Sequence, residues 1–183
     1  MRSQKAGERV LAGLRRCYAR LHLKVNESKT AVAPMRGRKF LGYSFWIAKG
    51  GEIKRAVAAK AIGAYKTRIR QLTRRMRGRN LEQVAEDLRK FMPGWKEYFR
   101  LAQTPKVFRT LDEWLRHRLR ALQLKQWRRS RTILRGLRAL GASEAQAAPV
   151  ARNARCWWRN SRMNLNGLMP IAYFDRLGVP RLA

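Results

Sequence analysis

Acidic residues are scarce in this sequence: 11 Asp and Glu stand against 43 Lys and Arg, leaving a formal net charge of +32 over 183 residues. A compact body with that charge repels itself unless a polyanion is usually bound. Cysteine is almost missing. Cys17 and Cys156 give neither a disulfide framework nor a metal-binding spacing, which indicates a reducing compartment. Long apolar runs are missing too, and none approaches the roughly 18 to 20 residues needed to span a bilayer. Because the basic residues are spread over several elements rather than gathered on one amphipathic helix, a nucleic acid is favoured over a lipid surface. The 45% apolar content excludes a disordered basic tail. Carboxylate pairs are the last absence. Asp87, Asp112 and Asp175 stand apart along the chain, with Asp87 and Glu86 on what reads as a solvated helix face. Nucleotidyl transfer by two magnesium ions requires carboxylates placed together, and this pattern does not supply them.

What is present centres on Ala58 to Trp127, where apolar residues at helical spacing alternate three times with arginines. Ile62, Tyr65, Ile69, Leu72 and Met76 form one stripe, with Lys66, Arg68, Arg70, Arg74 and Arg75 largely outside it. Asn80 with Gln83 offers a capping box for a second helix striped by Leu81, Val84, Leu88 and Phe91. Pro93 and Gly94 are expected to break that helix, so that Trp95, Tyr98 and Phe99 follow on a new segment. Thr104 and Pro105 form an N-cap and first-turn pair for a third helix, striped by Phe108, Leu111, Trp114, Leu115, Leu119 and Leu122. Arg109, Arg116, Arg118, Arg120 and Lys125 are left to face a ligand. The expectation is a three-helix bundle with a charged outer surface, although such a charge run also fits a solvated face that only maintains solubility.

Before the bundle, Val10, Leu11, Leu14, Tyr18 and Leu21 predict a packed helix. The Arg-rich, acid-poor start also fits a transit peptide, a weaker reading. Leu21, Leu23 and Val25 alternate as a strand, and Thr30 to Val32 read as a short return strand after a turn at Asn26 to Lys29. Phe40 to Ile47, then Gly50, Gly51 and Ile53, predict a hairpin. Beyond the bundle, Ile133, Leu134, Leu137 and Leu140 predict a helix ended by Gly141, and Ser143 with Gln146 predicts another capped start. Arg152, Arg155, Arg159 and Arg162 surround Trp157 and Trp158, a mixture of cations and flat rings that suits phosphates and unpaired bases. One of the two tryptophans is equally suited to a core. The last twenty residues, with Leu165, Leu168, Ile171, Tyr173, Phe174 and Leu177, are expected to pack back onto the bundle.

Leu23-Lys24-Val25-Asn26-Glu27-Ser28-Lys29-Thr30, then Phe40-Leu41-Gly42-Tyr43, then Gly94-Trp95 with Tyr98-Phe99, resemble in order the late palm motifs and the thumb (maturase) region of group II intron reverse transcriptases. Each motif alone is weak and their succession before a basic bundle is specific. Gly141, Trp157-Trp158 and the closing Asn166, Leu168, Tyr173-Phe174, Gly178 pattern look like the end of such proteins. The resemblance implies an α+β fold: a distal palm segment (1–55), a thumb or maturase domain (56–128) and a basic C-terminal region (129–183).

The family's Tyr-x-Asp-Asp turn would lie upstream of Met1, so the chain looks like the C-terminal part of such an enzyme, with no primer extension of its own. The resemblance places Lys29 near an incoming triphosphate, whereas the residues alone favour a solvated turn lysine. It makes Phe40-Leu41-Gly42-Tyr43 a primer grip, where a buried strand with an ordinary glycine is the plainer alternative. It assigns RNA contact to Arg68, Arg70, Arg74, Arg75, Arg109, Arg116, Arg118 and Arg120, with Arg155, Trp157 and Arg159 beside them. Implied partners are intron RNA and template-primer duplex, with target DNA and an N-terminal reverse transcriptase half as further ones, and no membrane. No cofactor is expected on this chain alone; Mg2+ belongs to a complete enzyme, and the bacterial cytoplasm is the expected location. Alternatives are half of a split reverse transcriptase, or a general basic RNA-binding protein. A helix-turn-helix DNA binder fits less well, lacking a dimer seam and a short recognition helix.

Overall fold

The structure, a computed structural model, describes residues 3–35, 37–74, 78–163 and 165–183. Arg75 and Met76 lie outside the described residues. It is mainly helical with a small antiparallel sheet, the α+β arrangement expected. No described helix is long and apolar enough to cross a membrane.

Helix α1 (Gln4–Arg20) starts on the Ser3 side chain and stops at His22, whose φ of 55° lets the Leu23 N–H reach back to the Tyr18 carbonyl at 2.9 Å. Neither strand expected between Leu21 and Val32 forms. The chain turns instead on Asn26, which accepts from the Lys29 N–H and the Ser28 hydroxyl through its side chain and from the Thr30 hydroxyl through its carbonyl. These local bonds compete with a ladder, and a short alternating run has no neighbour to pair with. Nor is α1 packed as expected, because Val10, Leu14, Tyr18 and Leu21 are all exposed.

Strands β1 (Lys39–Phe40), β2 (Tyr43–Ile47) and β3 (Ile53–Val57) form the sheet in that order, with Phe40 opposite Tyr43 and Ile47 opposite Ile53. The β1–β2 turn is Leu41-Gly42, with φ of 48° and 79°, the both-positive pair of a type I′ hairpin. Gln103 closes the outer edge of β3, its N–H donating to the Arg55 carbonyl at 2.8 Å and its side-chain oxygen accepting from the Arg55 N–H at 3.1 Å. An edge bonded this way is not free to pair with another strand.

Helices α2 (Ala59–Leu72), α3 (Leu81–Tyr98) and α4 (Pro105–Trp127) build the bundle. Their stripes meet as expected: Tyr65, Ile69, Leu88, Met92, Leu111, Leu115 and Leu119 are all essentially inaccessible. The Asn80–Gln83 capping box forms in both directions, at 2.8 and 3.0 Å. Two boundary expectations are corrected. Helix α3 runs through Pro93 and Gly94 without a break, since the packing of Trp95 on Tyr65 of α2 and Phe108 of α4, and of Phe99 on Tyr43 of β2, outweighs one missing backbone bond. At α4, Pro105 takes the first helical position but the Thr104 side chain makes no capping bond.

Helices α5 (Ser130–Ala139), α6 (Glu144–Arg152), α7 (Trp157–Met163) and α8 (Ile171–Arg176) share the same continuous core, which runs from Val57 to Leu182. Gly141, at φ 89°, ends α5 with the Ala142 N–H on the Leu137 carbonyl and its own on that of Arg138. Leu165, Phe174 and Leu182 bury against the bundle as expected, but Ile171 is exposed.

Gly136 fixes how α5 leaves α4, because a Cβ on it would sit 2.6 Å from Trp127 Cζ2. Gly136→Ala is therefore expected to cost about 1–3 kcal/mol by overpacking. A thermal melt measures this, and a parent-like melting temperature would mean that the Trp127 ring can swing aside.

Candidate nucleic-acid interface

Two of the motifs distant in sequence meet in space. The Tyr43 hydroxyl donates to the Tyr98 carbonyl at 2.5 Å, and the Tyr98 hydroxyl donates to the Leu41 carbonyl at 3.0 Å, with the two rings stacked at 6.4 Å. Phe-Leu-Gly-Tyr is thereby clasped onto the end of α3. Gly42 is required twice: its φ is left-handed, and a Cβ would approach Phe99 Cζ to 3.2 Å. Phe40 and Leu41 stay exposed at the tip, so a left-handed leucine with a solvent-facing side chain is held in place by tyrosine hydrogen bonds. Lys29 is an exposed turn residue, as the plainer reading of the residues has it.

The arginines expected on one outer surface divide into two groups. Arg68, Arg70, Arg74, Arg109, Arg155 and Arg159 are exposed. Arg116 is only 3% exposed and Arg120 is buried, which corrects the expectation that both face outward. Arg116 Nη1 lies 3.5 Å from Asp112 Oδ1 and donates to the Asp112 carbonyl at 3.2 Å, while Nη2 stands 3.9 Å from Asp175. Asp112 and Asp175 are therefore not isolated, since both approach one guanidinium. The Asp112 carboxylate also accepts the backbone N–H groups of Leu182 and Ala183 at 3.0 to 3.1 Å. Arg120 Nε donates to the Met169 carbonyl at 2.9 Å and its guanidinium lies 5.7 Å from the Phe174 ring.

These buried cations bind the C-terminal segment to α4. Burial and the nearby Arg116 charge lower the pKa of Arg120. The Arg181 hydrogen bond, and then the Arg181 and Arg116 charges, hold Asp175 below the usual carboxylate range. Its contribution to stability is thus present above the ordinary carboxylate pKa and is lost as pH falls through the lowered one.

Arg118 is half-buried, bonding through Nε to the Thr73 hydroxyl and through Nη2 to the Arg70 carbonyl at 3.4 Å. It joins α4 to the end of α2. Arg70 and Lys66 then lie over the Trp114 ring, at 5.6 and 5.7 Å from its centroid. One helical step of three along α4, His117 packs against Trp158 of α7, with centroids 4.0 Å apart. Trp157 turns inward onto the core, so the exposed ring of the pair is Trp158 and the expected assignment of Trp157 is corrected. The result is a stripe across α2, α4 and α7 in which two cations, Arg70 and Lys66, meet a run of rings, Trp114, His117 and Trp158, that ends beside Arg159.

The sequence named Trp158 only together with Trp157, and it gave no sign of His117 as a ring beside them. The only signal for His117 was position: it follows Trp114 by three residues and so shares its side of α4. Among the described residues, no group of three or more His, Cys, Asp or Glu side chains is placed to hold a metal ion. Asp112 and Asp175 are already engaged by arginines or backbone N–H groups.

No curated protein sequence matches the chain significantly. Residues 62–139, spanning most of α2 through α5, match the family model described as group II intron, maturase-specific domain. That segment holds the bundle core, the Trp95 junction and the Trp114 part of the stripe. The match ties the chain to the splicing of group II introns through residues 62–139, which are similar to the group II intron, maturase-specific domain family.

Proposed function

We propose that this chain is an RNA-binding maturase module that grips intron RNA with the cation–ring stripe across α2, α4 and α7 and so assists splicing. The observation that carries this reading is a run of rings with cations at both ends. Lys66 and Arg70 lie over Trp114, and Trp158 is exposed beside Arg159, so phosphates and unpaired bases are both served on one surface. Exposed arginines supply forked donors for phosphate oxygens, and few carboxylates compete with them. A general basic RNA-binding protein would need only the charge; the maturase-specific match at residues 62–139 favours the intron as ligand.

Titrating the chain with a self-splicing group II intron RNA at rising salt tests the reading. Each phosphate neutralised contributes a slope of about 0.7 to 0.9 in log affinity against log salt, so a six-phosphate site gives a slope near 4 to 5. Faster splicing of that RNA at low magnesium is the accompanying expectation. A flat salt response, or equal affinity for an unrelated structured RNA, would sink the intron-binding reading.

A second reading rests on α1. Val10, Leu14 and Tyr18 form an exposed apolar stripe at four-residue spacing on a helix that ion-pairs through Arg15 with Glu27. Such a stripe suits a reverse transcriptase half supplied separately, with this chain providing the hairpin and the bundle. Co-purification of the chain with a separately expressed palm segment tests it, and Leu14→Asp should abolish the association.

A further inference from the structure

Between α4 and the C-terminal segment lies a groove of about 1230 Å³, more than the roughly 300–1,000 Å³ of common small-ligand pockets. Five arginines line it, Arg109, Arg116, Arg120, Arg162 and Arg181, against two carboxylates, Asp112 and Glu113. Most of that positive charge belongs to the scaffold, yet the scaffold does not saturate it. Arg116 is almost wholly buried, and its Nε and Nη2 have no hydrogen-bond acceptor. A buried guanidinium with open donors is costly unless something accepts from it. One wall carries Trp114 and His117, the two ring residues of the stripe that α4 contributes.

We propose that the groove takes one unpaired nucleotide of the bound RNA, its phosphate drawn to the arginines and its base laid against Trp114 and His117. The inference rests on the RNA-binding reading and adds to it where, and in what state, a nucleotide is read. A duplex presents its phosphates on a convex surface and keeps its bases stacked inside. Only a nucleotide swung out of the stack can reach a recessed arginine and a ring wall together. Arg109 and Arg162 are exposed at the rim, where they meet the flanking phosphates.

Two RNA hairpins identical except for one bulged nucleotide test this, with 2-aminopurine at the bulge as a stacking probe. The parent chain should bind the bulged hairpin about tenfold more tightly, the effect of one stacked base, and should quench the probe. In the Arg109→Gln/Arg162→Gln double variant, with a parent-like melting temperature, the ratio should fall towards one. In Arg68→Gln/Arg74→Gln, which lies outside the groove, both affinities should drop together and the ratio should hold. Equal binding of both hairpins by the parent, or a ratio that survives the groove variant, overturns the groove proposal while leaving RNA binding standing. Failure of the parent to bind either hairpin overturns both.

Discussion

Arg116→Ala is expected to destabilise the fold by about 3–5 kcal/mol, the penalty for removing one partner of a buried ion pair. The reason lies in what stays behind. Asp112 is buried, and without Arg116 its carboxylate retains only the two backbone N–H groups of Leu182 and Ala183 and no cation beneath it. Asp175 also loses its second cation and keeps Arg181 alone. Because these carboxylates fasten the last residues to α4, the damage should spread along the C-terminal segment. The Leu182 amide should exchange with solvent far faster in the variant, and the melting temperature should fall by on the order of 10 °C. Arg109→Ala, about two turns earlier on the same helix but exposed, should stay within about 0.5 kcal/mol of the parent. A parent-like melt for Arg116→Ala would mean that water or a rearranged Arg181 takes over the charge, and the picture of a clasp would be wrong.

The contrast between Arg109 and Arg116 also shows what the sequence could reveal. The apolar stripes of α2, α3 and α4 were legible because period and burial are local consequences of helix geometry, and the Asn80 and Ser143 capping boxes were legible because they need only four residues. The β2–β3 hairpin was legible from Gly50 and Gly51, whereas the residues alone did not show the Leu41-Gly42 turn that divides Phe40 to Ile47 into β1 and β2 and whose Leu41 carbonyl is held by the distant Tyr98. Burial of Arg116 and Arg120 was not, since it depends on Asp175 and Met169, some fifty or more residues away, arriving at the same helix. The uninterrupted course of α3 past Pro93 was hidden for a similar reason: local chemistry favoured a break and tertiary contacts overrode it. Strand-like alternation at Leu21 to Val25 misled because a strand exists only with a neighbour. Which of Trp157 and Trp158 faces out likewise depends on the distant residues of the core against which Trp157 packs.

Trp95→Ala should cost about 3–5 kcal/mol, as truncations of large rings in cores do. Trp95 sits on α3 just past Pro93, and its ring meets Tyr65 of α2 at 4.6 Å, Phe99 at 4.7 Å and Phe108 of α4 at 6.0 Å. One side chain therefore touches all three helices of the bundle. Each such ring pair adds about 0.5–1.5 kcal/mol to what area burial provides. The loss should also propagate to the hairpin, because Phe99 packs on Trp95 and on the Gly42 turn, and Tyr98 next to it holds the Leu41 carbonyl. Helix α3 itself is at stake, since Pro93 has already removed one backbone bond and the packing of Trp95 and Phe99 is what carries the helix past it. The expected outcome is a much lower melting temperature, loss of helical signal over the last turn of α3, and RNA affinity that recovers when the variant is cooled into its folded state. If Trp95→Ala melted like the parent yet bound RNA poorly at every temperature, Trp95 would be a stacking contact rather than the junction of the three helices.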